Sequence, residues 1–165
     1  MSAPGAGPAP HSGTITVDAS PETLYALVSD VTRTGEWSPI CTDCWWDEGD
    51  GPSVGSWFTG RNRTPERTWE TRSQVVVAEP GREFAWQVGG SFVRWGYTMT
   101  PLEDGGTELV EHWEFLPDGL AMFRDKFGDA AEHEIEVRTL AAHEGIPATL
   151  AAIKDLAEAE AQPVG

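Results

Sequence analysis

Residues 54–116 divide into five consecutive segments of strand length, 54–63, 67–78, 83–88, 92–102 and 107–116. Glu79-Pro80-Gly81, Gly89-Gly90 and Asp104-Gly105-Gly106 supply short turns between them. Strands joined by such short turns pair antiparallel, so this stretch reads as a meander. Seven of the eight tryptophans lie between Trp45 and Trp113, within or beside these strands. A strand puts alternate residues on one face. So many large rings on a small sheet need a concave partner surface, or a ligand, to cover them. Tryptophan and tyrosine join an apolar body to a polar tip, which suits a pocket for a greasy, partly oxygenated small molecule.

The flanks complete the order. Residues 14–17 alternate and are β-branched, giving a first strand. Ser20 caps a helix with Pro21 at its first position and Glu22 in its first turn, and Leu24, Leu27 and Val28 share a face. Residues 30–34 form a second short helix ended by Gly35, and residues 42–48 a second strand before the turn Gly49-Asp50-Gly51-Pro52. From Asp118 onward alanine and glutamate dominate. Phe123 and Phe127 share a helical face, Gly128 interrupts, and Pro147 is expected to kink or restart the helix. Leu150, Ile153 and Leu156 continue an apolar stripe at helical spacing. The fold class is therefore α+β: one strand, two short helices, six strands, one long C-terminal helix. A sheet must bury its apolar face, and a curved sheet around one helix leaves an internal cavity between them. Residues 1–12 read as a disordered N-terminal tail and residues 13–161 as a single ligand-binding domain.

Composition narrows the partners. A chain of 165 residues with 39% hydrophobic residues supports one cored domain. Lys plus Arg is 11 against 27 Asp plus Glu, a formal charge of −16. That balance disfavours nucleic acid and anionic membranes. No run of about twenty apolar residues predicts a membrane insertion. Residues 1–13 lack the basic and apolar regions of a signal peptide, so a cytoplasmic location is expected. Cys41 and Cys44 have C-x-x-C spacing. A zinc site needs four ligands, and no second Cys or His pair is nearby. Positions i and i+3 of a strand face opposite sides, so two ordinary thiols are expected. No metal and no cofactor is implied.

Period two assigns the faces. Trp69, Thr71, Ser73, Val75 and Val77 point inward on the fourth strand, as do Phe84, Trp86 and Val88 on the fifth. Val93, Trp95, Tyr97 and Met99 follow on the sixth, and Leu109, Glu111, Trp113 and Phe115 on the seventh. Glu111 is the exception in this set. A carboxylate among Tyr97, Trp95 and Trp113 would be desolvated and its pKa raised. Such a group can act as general acid or base or accept a ligand hydroxyl, unless it pairs with an arginine such as Arg94. His112 is assigned to the outer face, and His133 and His143 to a solvated helix face.

Three stretches carry a family resemblance: "ITVDASPETLYALVSDVTRTGEWSP", "GRNRTPERTWETRSQVVVAEPGREFAWQV" and "RWGYTMTPLEDGGTELVEHWEF". Together the chain resembles the START-like (SRPBCC) superfamily, in its polyketide cyclase/dehydrase-like branch of actinobacterial type. The resemblance implies a helix-grip fold, with a curved seven-stranded antiparallel sheet around the C-terminal helix. It also implies a small hydrophobic ligand, lipid-like or aromatic and polyketide-like, held between sheet and helix. A monomer or homodimer is expected. Trp37, Trp69, Thr71, Ser73, Val75, Phe84, Trp86, Trp95, Met99, Trp113 and Phe115 are the expected ligand-binding residues. The alternative is a cyclase, aromatase or dehydratase, with Glu111 and Tyr97 as acid and base. Aromatase members carry a cavity arginine two residues after a serine. Ser73 matches that serine, but Val75 stands at the arginine position, a departure from the aromatase pattern.

Overall fold

The structure, a computed structural model, describes residues 7–161. The first strand, β1 (His11–Val17), leads into helix α1 (Pro21–Val28), and a 3-10 segment Val31–Glu36 follows. The side chain of Ser20 accepts the Thr23 N–H at 3.1 Å, and Asp30 caps the 3-10 segment by accepting from Thr32 N at 3.2 Å. Strands β2 (Cys41–Trp46), β3 (Trp57–Thr64), β4 (Arg67–Glu79), β5 (Glu83–Val88), β6 (Val93–Pro101) and β7 (Thr107–Phe115) complete one sheet. Its order is β1-β7-β6-β5-β4-β3-β2, antiparallel throughout. The meander thus forms as the short turns require, and the first strand closes against the last. Helix α2 (Pro117–Phe127) and a 3-10 turn precede α3 (Ala131–Ala161), which crosses the sheet.

Several boundaries differ from expectation. β1 begins at His11, so His11 and Ser12, expected in a tail, pair with Trp113 and His112; residues 1–6 of that tail lie outside the described residues. β3 begins at Trp57, because Gly55 takes a positive φ of 95° and ends the turn late; Val54 stays 66% exposed. Pro147 does not restart α3, which runs unbroken through it. Pro147 and His143 both face solvent, so the carbonyl left without its helical donor can be hydrated.

Two register shifts re-aim side chains. In β4 the shift between Val75 and Val77 breaks the alternation, so Ala78, opposite Phe84, takes the inward place expected for Val77. In β2 the shift between Cys41 and Asp43 corrects a second expectation. Cys41 lies opposite Asn62 and Cys44 opposite Gly60, so both thiols share the inner face.

Helix α3 packs along β1 and β7, and Gly13 sets how closely. A Cβ at Gly13 would lie 2.6 Å from Ile146 Cγ2 and 3.3 Å from Leu150 Cδ1, and both neighbours are buried. Gly13→Ala should therefore cost about 1–3 kcal/mol of stability through overpacking. Urea unfolding checks this. In the double variant with Ile146→Ala the two losses should add to less than their sum; full additivity would mean the contact is not the cause.

Candidate functional site

The inner face carries the ring residues in facing rows. Across β5, β6 and β7, Trp86 lies opposite Trp95, which lies opposite Trp113; one row along, Phe84 lies opposite Tyr97, which lies opposite Glu111. Glu111 is in turn opposite Gly13 of β1. Phe84 meets Trp86 at 5.7 Å between centroids, Trp86 meets Tyr97 at 5.8 Å, and Trp113 meets Phe115 edge-on at 6.0 Å. Ser73 and Val75 are buried beside Val88 and Trp86, and Met99 is buried at the far end of β6. Trp37, from the segment leaving the 3-10 helix, is also buried.

α3 covers the β1 and β7 side of this face, while α1 packs against β5 and β6. The 3-10 segment packs on β2, and the side over β3 and β4 is less covered. Trp46, Trp86, Trp95, Trp69 and Thr71 are only half-buried. There Thr71 accepts from the Asn62 amide at 3.2 Å, and the Arg67 guanidinium stacks 4.1 Å over Trp69. All the residues expected to bind ligand thus face inward. Glu111, Tyr97, Trp37, Phe84, Trp86, Trp95 and Trp113 form one group, and Trp69 and Thr71 stand apart at the open end.

The polar centre of the group is Glu111. It is 3% exposed, and its Oε1 is buried with no hydrogen-bond partner. Burial pushes its carboxyl up to about 8, against the opposing effect of a hydrogen bond to Tyr97. Burial, then the neighbouring Glu111 charge, holds the Tyr97 phenol well above the ordinary tyrosine range; a hydrogen bond with the Trp37 side chain works the other way. An unpaired polar atom in a desolvated setting costs free energy and is characteristic of a site that meets something else. Arg94 does not supply that partner: it faces outward and meets Glu83 at 3.5 Å. Arg72 is also outward, pairing with Asp47 at 2.8 Å and lying over Trp57.

Three contributors were not drawn from the alternation. Tyr25 of α1 meets Phe84 edge-on at 6.3 Å, and Phe58 bridges Trp46 and Trp86. Tyr25 follows Leu24 on the helical stripe, and Phe58 is inward in β3; both were findable by periodicity. His143 is exposed as expected, yet it stacks on His11 at 3.8 Å and meets the edge of Trp113. His112 is outward and bonds Thr98 at 3.0 Å. Two depressions, of about 340 and 790 Å³, lie mainly on the outer face, one around Ala85 and Gly96, the other around Trp57 and Arg72. No helix among the described residues is long and apolar enough to cross a membrane.

The family described as polyketide cyclase/dehydrase and lipid transport matches residues 11–143. A Polyketide_cyc-like protein from Corynebacterium glutamicum, solved in solution, is 58% identical over 92% of both chains, with a TM-score of 0.67. The aromatase/cyclase ZhuI from Streptomyces sp. R1128 is 17% identical, covering 95% of this chain and 98% of its own, with a TM-score of 0.67. The di-domain aromatase/cyclase StfQ of the steffimycin pathway is 17% identical, covering 92% of this chain and 51% of its own, with a TM-score of 0.68. At 17% identity those two likenesses are of fold alone. A search of curated proteins returns no match.

Proposed function

Given that the chain belongs to the polyketide cyclase/dehydrase and lipid transport family, we propose that its inner face binds a small hydrophobic ligand carrying one hydroxyl or carbonyl group. The ligand is lipid-like or aromatic and polyketide-like. Its apolar body lies against Trp86, Trp95, Trp113 and Phe84, entering from the half-covered side over β3 and β4. Its polar end meets Glu111. The observation that carries this reading is the buried, unpartnered Oε1 at the floor of a ring-lined surface. Rings supply most of the affinity through buried area, and the single polar group fixes orientation.

The test is a fluorescence titration with fatty acids, flavonoids and aromatic polyketides. A true ligand should quench saturably. Trp95→Ala should abolish the response, and Glu111→Gln should weaken binding of hydroxylated ligands by about tenfold, the value of one buried hydrogen bond. No response from any class, in protein shown to be folded, would sink the reading.

A second reading, a dehydratase or cyclase step on a polyketide-like substrate, is favoured by the Glu111–Tyr97 pair. Near neutral pH Glu111 holds its proton. In that form it donates the proton to a substrate hydroxyl, which departs as water. The resulting carboxylate then takes the proton from the adjacent carbon, a double bond forms, and the acid is regenerated. Tyr97, opposite Glu111 in the ladder, is the neighbour that positions the carboxyl. Activity on a β-hydroxy ketone should therefore fall as pH rises through about 8. A rate that rises across that interval would exclude Glu111 as the acid.

A further inference from the structure

The C-x-x-C thiols do not alternate across β2, because the register shift between Cys41 and Asp43 puts both on one face. Both sulfurs converge on Gly60 of β3. A Cβ at Gly60 would lie 3.4 Å from Cys41 Sγ and 3.9 Å from Cys44 Sγ. No side chain at Gly60 separates them, and the Cys41 thiol donates to the Asp43 carbonyl at 3.3 Å. Both are free thiols, Cys41 half-buried at the sheet edge and Cys44 buried behind it. Among the described residues no group of three or more His, Cys, Asp or Glu stands ready to hold a metal ion, so the pair has no further ligands on hand.

We propose that Cys41 and Cys44 form an oxidisable dithiol, in which Cys41 reacts with a hydroperoxide and Cys44 closes the disulfide. The Cys41 thiolate attacks one peroxide oxygen. The O–O bond breaks, an S–O bond forms, and the peroxide's other oxygen leaves as water or an alcohol. Cys44 then attacks the Cys41 sulfenic sulfur, the S–S bond forms, and hydroxide departs with the Cys44 proton as a second water. The two thiols are oxidised by two electrons and one hydroperoxide is reduced. The roles follow from position and acidity. Cys41 is the accessible one, and the hydrogen bond from Cys44 holds its thiol below the ordinary value; that bond and burial hold Cys44 well above it. A low-pKa, accessible sulfur beside a protonated one is the arrangement of an attacking and a resolving cysteine.

This site is independent of the ligand reading and needs no substrate to test. The reduced full chain is treated with hydrogen peroxide, then alkylated and weighed. The expected product is two hydrogens lighter and monomeric, has lost both titratable thiols, and is restored by a dithiol reductant. Cys44→Ser should stop at a sulfenic acid on Cys41 that dimedone traps. Cys41→Ser should leave Cys44 unmodified at the same dose. Circular dichroism confirms that both variants are folded. Three results would overturn the proposal: both thiols surviving a dose that oxidises free cysteine, oxidation running to sulfonic acid on Cys41 with Cys44 still free, or disulfide-linked dimers as the main product.

Discussion

Glu111→Gln should keep its stability between pH 5 and pH 9 far better than the parent chain, and the gap between them should widen with pH. Burial pushes the Glu111 carboxyl up to about 8 in the folded chain, against an ordinary 4.5. Below pH 4.5 both folded and unfolded chains hold the proton, and ionisation costs nothing. Above it the unfolded chain releases the proton while the folded chain retains it. The unfolded state then binds fewer protons, so stability falls as pH rises, by about 1.4 kcal/mol per pH unit. The fall ends near pH 8, where the folded chain also ionises. Over that interval the loss is on the order of 5 kcal/mol. Gln cannot ionise, so the variant lacks this slope, while the titration of the chain's other acidic groups is common to both and cancels in the difference. Urea unfolding of both proteins at pH 5, 7 and 9 measures it. Parallel stability curves would mean that Glu111 is solvated in the folded chain, and the case for it as the polar centre would fail with it. A residue that lowers stability at the working pH while sitting at the floor of a ring-lined face is the pattern of a functional group retained at a structural cost.

Phe84→Ala is the second large effect. Phe84 has no exposed surface; it meets Tyr25 edge-on at 6.3 Å and Trp86 at 5.7 Å, and lies opposite Tyr97 in the ladder. Truncating it removes the edge-on ring contact between α1 and β5 and opens a cavity between the two layers. The expected loss is about 3–5 kcal/mol, with Phe84→Leu losing much less. The denaturant slope should stay unchanged, since the surface exposed on unfolding is nearly the same. Because Trp86 and Tyr97 both border the new cavity, the variant should also bind a benzene-sized apolar molecule that the parent excludes, read as a rise in melting temperature with added benzene. A loss below about 1 kcal/mol would show that the site collapses, and that the inner face is softer than its packing indicates.

The inner residues were legible because strands impose period two, and the ladder pairs them as alternation requires. Trp86, Trp95 and Trp113 fall in one row, and Phe84, Tyr97 and Glu111 in the next. Glu111 stood out for the same reason: it is a charge at an inward position. The failures came where one residue breaks the period. The shifts in β2 and β4 turned Val77 aside and brought Cys41 onto the face of Cys44. No local pattern announces a bulge, because its extra residue is set by how neighbouring strands align.

The sequence by itself determined the α+β class, the strand order along the chain, the capped helix at Ser20 and the inward placement of the rings, all of which follow from local periodicity and turn chemistry. Only the tertiary structure decided which groups meet. It set β1 beside β7, so that Gly13 admits Ile146, and brought Trp37 from a distant loop to the Tyr97 side chain. It left α3 over β1 and β7 rather than over the whole sheet. It also left Glu111 Oε1 without a partner. The physical reason is that burial and pairing depend on residues far apart in the chain, whereas propensity and alternation are properties of neighbours.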